Sequence, residues 1–345
     1  VKENKDHKLK VGVIGVGHLG EYHVQKYLAM PAVDLVGVVD VNPDRSREIA
    51  KNYGVKAYRT HEEILGLVDA VSLAVPTEVH FEVARDILSH GVHVLIEKPI
   101  TYRLEDADAL IEMAEERNLV LQVGLIERFN PAVVQMEGVL NYPVFIESHR
   151  MNAFTNRGID VDVVLDLMIH DLDIILHLVP GEVKEVHAVG ISVITGKTDI
   201  ANARIIFSNG TVANLTASRV SSKTLRKIRV FQPDAYLSVN CFKREITIIR
   251  LDSEEIDGNG YPQITSQKMQ FPGRDALADE ISSFVEVVRN GSQPVVTGRD
   301  GRRALELALG IIDQIKRNYK DFQAICEKVP PSTVGSIGTK VRWRR

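Results

Sequence analysis

The chain has 345 residues, enough for about two domains of ordinary size. Hydrophobic residues make up 44% and charged residues 26%, which excludes wholesale disorder and collagen-like repeats. Lys plus Arg is 42 against 46 Asp plus Glu, a net charge of -4, so the chain has no general electrostatic reason to hold nucleic acid or an anionic membrane.

Val1 to Lys10 is charged and contains no apolar signal core. No apolar run approaches the ~20 residues of a membrane helix. Cys241 and Cys326 belong to no CxxC pair, which argues against a Cys-rich zinc site, a redox motif and a disulfide framework. A reducing, cytoplasmic location is expected. Leu9 to Gly15 reads as a buried strand, and Gly15-Val16-Gly17-His18-Leu19-Gly20 follows at once, opening a helix to about Met30. Leu35 to Val39 is a second apolar run, ending at Asp40. Pro43, in Asn42-Pro43-Asp44, is placed for a helix start. Ala70 to Val75 is a strand stopped by Pro76, and Thr77 is positioned to cap a helix running to about His90. Val92 to Ile96 is a strand ending at Glu97-Lys98-Pro99. Leu104 to Arg117 is helical, stopping near Asn118, and Leu119 to Val123 is the next strand. Nearly all-apolar strands alternating with helices predict a parallel sheet covered on both faces. The first domain, within residues 1–125, is therefore read as α/β, a doubly wound Rossmann domain.

Beyond residue 126 the rhythm changes. Val161 to Leu178 predicts a long helix. Val183–Thr195, Ala201–Phe207, Val212–Ser218, Lys227–Gln232, Tyr236–Asn240 and Glu245–Arg250 read as strands, with Asn209-Gly210 as a hairpin turn. Their short connections favour antiparallel pairing. Helices over about Asp275–Arg289 and Arg299–Tyr319 complete an α+β domain, 126–330, with a large, mostly antiparallel sheet. Residues 331–345 read as a loose tail.

Gly15, Gly17 and Gly20 make a GxGxxG between a strand and a helix. In that setting the first glycine permits a tight turn, the second lets backbone approach a pyrophosphate, and the third lets helix and strand pack closely. Asp40 ends the next strand, 25 residues beyond Gly15, near the spacing expected for an acid that holds the adenosine ribose. A 2′-phosphate there would meet its carboxylate at a cost of about 4 kcal/mol per unit charge pair at ~4 Å. NAD is therefore expected over NADP. Arg45 is close enough in sequence to blunt this repulsion. Pro76, Thr77, Glu97 and Lys98 lie at carboxyl ends of strands, where open α/β sheets bind ligands.

In the helix after Val161, Asp166, His170, Asp173 and His177 fall at i, i+4, i+7 and i+11, which predicts one shared face on a mostly apolar helix. Such a face is an internal hydrogen-bonded network, a metal site, or an acid–base centre built on His170. A cofactor domain earlier in the chain favours the last.

These residues resemble the family of glucose–fructose oxidoreductase, inositol dehydrogenase and the rhizopine catabolism protein. GVIGVGHLGEYH, AVPTEVHFEVA, Glu97-Lys98-Pro99, GLIERFNP and Asp166-xxx-His170-xx-Asp173 match its motifs in order over nearly the whole chain. The resemblance implies an NAD(P)-dependent dehydrogenase acting on a sugar CH–OH group. Cofactor contacts would come from Gly15, Gly17, His18, Leu19, Gly20, Asp40, Val75, Pro76, Thr77, His80, Glu97 and Lys98. Lys98, His170 and Asp166 would carry the chemistry, with Pro99 following a cis peptide. The antiparallel sheet would form a homo-oligomer interface, in a dimer or tetramer. Many members have glycine where this chain has Met168, and the run DLMIHDLDII with ERFNPA looks more like members acting on UDP-linked N-acetylamino sugars at C3. An inositol or free sugar is the alternative substrate. Outside this class stand a non-catalytic NAD-sensing protein and a metal-dependent enzyme using the Asp/His helix. A neutral Lys at pH 7 costs about 4.6 kcal/mol, so His170 is read as the base and Lys98 as the donor to the developing alkoxide, with exchanged roles left open. Arg128, Arg150 and Arg157 are, as a group, candidates for a substrate pyrophosphate, because Arg offers a planar donor fork, while each taken singly reads as a surface salt-bridge residue.

Overall fold

The computed structural model describes residues 8–155, 161–256 and 262–328. Arg157 and the expected tail lie outside the described residues.

The first unit runs β1 (Leu9–Ile14), α1 (His18–Leu28), β2 (Val33–Val39), α2 (Pro43–Tyr53), β3 (Lys56–Tyr58), α3 (Glu62–Leu65), β4 (Ala70–Leu73), α4 (His80–Ser89), β5 (His93–Glu97), α5 (Leu104–Glu116) and β6 (Leu121–Gly124). Its six strands are all parallel, in the order β3-β2-β1-β4-β5-β6. The chain order reverses between β1 and β4, and the crevice there opens at the strand carboxyl ends. Every residue of β4 is buried, as an apolar run covered on both faces requires. Pro43 is the first residue of α2, and Asn42 caps that helix by accepting from the Asp44 and Arg45 amides. Thr77 differs from expectation. It opens a single 3-10 turn, Thr77–Val79, and makes no capping hydrogen bond; α4 begins at His80.

The second unit contains α6 (Pro131–Glu137), β7 (Phe145–Met151), α7 (Ile169–Leu178), β8 (Val183–Ile191), β9 (Ile200–Phe207), β10 (Val212–Ser218), β11 (Leu225–Gln232), β12 (Ala235–Asn240), β13 (Glu245–Ile256), β14 (Pro262–Gln270), α8 (Ala276–Asn290) and α9 (Gly298–Lys328). Its eight strands run β14-β13-β12-β11-β7-β10-β9-β8, antiparallel except for the parallel pair β7–β10. Two strands have no counterpart among the expected elements of this sheet. β14 is an exposed edge strand, and β7 lies between β11 and β10. The β7 positions facing the interior are Ile146, Ser148 and Arg150, so its pattern carries little apolar signal.

α8 does not stay with the second sheet, whereas α9 does, its Gln314 and Asn318 side chains donating to the Val186 and Ala188 carbonyls of β8. Leu277, Ile281 and Phe284 of α8 share a core with Val11, Val13, Tyr27, Leu95 and Val120 of the first unit. The segment before α9 lies against β6, where the Val123 amide donates to the Val296 carbonyl at 3.2 Å. Glu280 of α8 is therefore carried into the first unit. It is fully buried, neither carboxyl oxygen has a hydrogen-bond partner, and its backbone carbonyl accepts from the Gln122 side chain. Burial, and then the charge of Glu97, hold its carboxyl well above the ordinary glutamate range.

A folded-state pKa above the unfolded value means that the folded chain binds the proton more tightly. The stability attached to Glu280 is therefore lost as pH rises above about 4.3 toward the folded pKa. Glu280→Gln, which keeps the shape of the neutral acid, is expected to raise Tm at pH 8 by about 2 °C or more and to change it little at pH 5. Thermal unfolding across that range checks the slope; equal shifts at both pH values would contradict a raised pKa.

Candidate active site

The glycine loop joins β1 to α1. Gly15 has φ +84°, and a Cβ there would sit 2.6 Å from the Ala74 carbonyl oxygen. A Cβ on Gly20 would lie 1.9 Å from the Gly15 oxygen. Gly17 has open space around it, and Gly17, His18 and Leu19 are exposed at the start of α1. The loop thus combines a forced turn, a close helix–strand contact and an open run of backbone at a helix N-terminus. This cradle fits a dinucleotide pyrophosphate. Asp40 accepts from the Val16 amide at 2.9 Å with Oδ2 and from the Asn42 amide at 2.9 Å with Oδ1. Arg45 is consumed locally: Nε donates to the Val16 carbonyl, and its other nitrogens reach Glu48 at 2.9 Å and Glu21 at 2.6 Å.

The neighbouring edge is built from the loops after β4 and β5. Val75 and Thr77 are half-buried there and Pro76 is exposed. His80, expected at the cofactor, is completely buried. Its Nδ1 lies 3.0 Å from the Pro99 carbonyl and its Nε2 2.9 Å from the Val75 carbonyl, so it braces the two loops. The Lys98-Pro99 peptide is cis. Glu97 faces inward, with Oε1 3.2 Å from His23 Nε2 and Oε2 accepting from the Lys98 amide at 3.3 Å. A Cβ at position 124 would lie 2.9 Å from that carboxylate, which explains glycine there. His23 ties α1 to the end of β5, and so links the glycine loop to Lys98.

Lys98 reaches the second unit. Its Nζ donates to the Asp166 carbonyl at 2.6 Å and lies 3.4 Å from Asp166 Oδ1. Asp166 sits in a π-helical turn, Val164–Met168, that runs directly into α7. The wider turn changes the phase that regular α-helical spacing predicts. Only Asp166 is shifted by that turn; His170, Asp173 and His177 lie within regular α7 at i, i+3 and i+7 and keep one face, but the residues of the expected face take different partners. Asp166 meets Lys98. Asp173 meets Arg128 at 3.3 Å. His177 meets Glu137 at 2.8 Å. His170 hydrogen-bonds neither acid, and its buried Nδ1 has no partner. These four residues form no metal-binding group; among the described residues such a group is His61, Glu62 and Asp86, on another surface.

Arg150 and Arg128 also differ from expectation. Both are buried. Arg150 donates to Asp171 through Nε at 3.1 Å and Nη2 at 2.7 Å, and to Glu127 through Nη1 at 2.7 Å. Arg128 donates to Asp173 and to the Val295 carbonyl. Both arginines hold the interior together and have no fork left for a ligand. Burial pushes the Asp173 carboxyl up to about 7 and outweighs the attraction of Arg128. Burial acts upward on Glu127 too, but Arg150 and Arg226 overcome it and hold that carboxyl below its ordinary value. His170 is pushed well below the usual histidine range, first by burial and then by Lys98, Arg150 and Arg226. Its imidazole is neutral at pH 7, with a lone pair available for a proton.

Glu127, Asp171, Arg226 and His23 were not among the residues expected at the site. Asp171 directly follows His170, which was a local signal; the others meet the site only through long-range packing.

The chain belongs to the oxidoreductase family with an NAD-binding Rossmann fold, whose model matches residues 9–125; the GFO/IDH/MocA C-terminal domain matches residues 132–237. It is 41% identical over 304 residues to the UDP-N-acetylglucosamine 3-dehydrogenase of Acidithiobacillus ferrooxidans, covering 88% of this chain and 96% of that one. A solved structure of that enzyme superposes with a TM-score of 0.84 at 40% identity, covering 90% and 98% of the two chains. The myo-inositol 2-dehydrogenase of Thermotoga maritima is 27% identical over 87% of this chain and 94% of its own.

The interior role of Arg150 has a direct test. Arg150→Ala leaves Glu127 and Asp171 buried without their main cation and is expected to cost about 3–5 kcal/mol of stability. Denaturant unfolding should show a lowered midpoint even without substrate; an unchanged midpoint would return Arg150 to the pool of ligand-binding residues.

Proposed function

We propose that the protein oxidises a ring hydroxyl of a UDP-linked N-acetylamino sugar, at C3, with NAD as the preferred cofactor. The observation that carries this reading is the meeting of Lys98, from the cofactor edge of the parallel sheet, with the Asp166–His170 segment of the second unit. Similarity to the Acidithiobacillus enzyme supports the choice of sugar.

The glycine loop and Asp40 would hold the cofactor, and Glu97 and Lys98 border its reactive end. Bound NAD supplies the hydride acceptor. His170, kept neutral by burial and three nearby cations, takes the hydroxyl proton. Lys98, anchored on the Asp166 carbonyl, donates to the sugar oxygen and stabilises the negative charge growing there. Asp166 orients that donor. NAD is favoured over NADP because Asp40 occupies the ribose position and Arg45 is already bound by Glu21 and Glu48. The proposal includes a homo-oligomer formed through the outer face of the large sheet, where Phe145, Phe231 and Tyr236 stack in sequence at 5.6 and 5.0 Å. It also includes a cytoplasmic setting, consistent with Cys241 being a buried free thiol.

Lys98→Ala and His170→Ala are expected to retain NAD affinity and to lose about 100-fold or more in kcat. Variants with normal turnover would remove both residues from the mechanism. Because the His170 pKa is lowered, the protonated, inactive form accumulates only below the usual histidine range. The acid limb of kcat/KM for oxidation should therefore lie below pH ~6.5.

Substrate identity is tested by comparing kcat/KM for UDP-N-acetylglucosamine, free N-acetylglucosamine and myo-inositol, with NADH formation as the readout. The highest value is expected for the UDP sugar; a higher value for a free polyol would sink the nucleotide-sugar assignment. Dissociation constants for NAD and NADP test the cofactor preference, and light scattering at micromolar concentration tests the oligomer.

A further inference from the structure

The ion cluster behind His170 contains two guanidinium groups and two carboxylates, but they are not shared equally. Arg150 binds both Asp171 and Glu127 at 2.7 Å. Arg226 stands directly across from Arg150 in the antiparallel β7–β11 register. Among the described residues its one ion contact is Nη1 to the same Glu127 oxygen, at 3.7 Å, which is too long for a hydrogen bond. Its Nε is buried without a partner. The Arg150 side chain is 3% exposed, whereas that of Arg226 is 37% exposed. One arginine has spent its charge on the interior. The other keeps its donor fork and reaches the open side of the cluster.

Arg226 also acts on the reaction centre. Its charge, with those of Lys98 and Arg150, falls on the His170 imidazole. Lys98 is partly neutralised by Asp166, and Arg150 by its two carboxylates. Arg226 is the cation of the three whose neutralising partner is weakest. A planar guanidinium with five donors and no firm acceptor is matched by phosphate oxygens, two at a time.

We propose that Arg226 binds the phosphate on the anomeric oxygen of the substrate while His170 addresses the ring hydroxyl. This rests on the nucleotide-sugar reading above and assigns the diphosphate contact within it. In a hexose the anomeric carbon and C3 are separated by C2 alone. A phosphate on the anomeric oxygen is thus close enough for one residue to hold it while its neighbour reaches the C3 hydroxyl. The contact lies away from the atoms that change bonding, so it contributes binding and orientation and leaves proton transfer to His170. The bound phosphate would also complete the ion cluster by giving Arg226 the acceptors it lacks.

The test uses the full chain with Arg226→Gln and Arg226→Lys. Because Arg150 retains Glu127 and Asp171, Arg226→Gln is expected to fold, which thermal unfolding checks. The kcat/KM for UDP-N-acetylglucosamine and for N-acetylglucosamine 1-phosphate should fall about 10- to 100-fold, mainly through KM, and Arg226→Lys should recover part of the loss. The loss on either phosphorylated substrate should exceed that on free N-acetylglucosamine by about tenfold or more. Calorimetry with UDP alone, in the presence of NADH, should show weakened binding in Arg226→Gln and unchanged affinity for NADH. Equal losses with phosphorylated and free sugar, or unchanged UDP affinity, would overturn the assignment. Failure of the nucleotide-sugar reading looks different: the wild type itself would favour a free sugar or polyol. In that case, pyrophosphate binding lost in Arg226→Gln would still uphold an anion site at Arg226, and pyrophosphate binding equal in both proteins would overturn it.

Discussion

The buried guanidinium of Arg150 is the contact on which the second unit and the site both depend. It projects from the interior face of β7 and binds Glu127 in the turn that leaves the first sheet and Asp171 at the start of α7. Three distant segments are thereby fixed by one planar group. Charges removed from water in this way gain little net stability by themselves, but leaving one unpaired is costly. The geometry is therefore all-or-none. α7 is held in one rotation, and His170, one residue before Asp171, is held with it. Glu127 is drawn inward and sets the exit angle of the chain after β6.

From this fixed helix the arrangement of the candidate site follows. The π turn before α7 offers the Asp166 carbonyl to Lys98, and Lys98 stands at the end of β5 because His23 and the Lys98 amide hold Glu97 beneath it. The polar groups of the candidate site thus come from both units. Cations surround His170 without a carboxylate hydrogen-bonded to it. This lowers its basicity and keeps it deprotonated at neutral pH.

Much of the cofactor half was legible in the sequence because its signals are local. A strand, a glycine pattern at fixed spacing and an acid at the next strand end all lie within about one βαβ unit. Glu97-Lys98-Pro99 was legible for the same reason, as a charged step after an apolar run. The second half depends on partners far apart in the chain. β7 escaped because Ser148 and Arg150 occupy interior positions that an apolar pattern would fill. Of the Asp/His face, His170, Asp173 and His177 keep one side of α7, while one π turn alters the angle between Asp166 and them. For Arg128 and Arg150 the sequence leaves a ligand contact and a surface ion pair both open, because nothing local reveals their burial or marks Asp173, Asp171 and Glu127 as their partners. Arg226 gave no signal until strand register set it opposite Arg150.

The placement of α8 bears on how this protein can be made and divided. α8 occupies the position of a covering helix over β5 and β6, a task that the first 125 residues leave undone on that face. A fragment ending after β6 would expose Leu95, Val120 and Gln122 to water and would lack Phe284 and Ile281 against Tyr27. The boundary visible in the order of elements is therefore not a boundary of independent stability. During synthesis the cofactor half must wait for a helix that emerges some 150 residues later, after the whole of the second sheet has been made. α8 thereby ties the packing of the cofactor half to a segment that follows the second sheet.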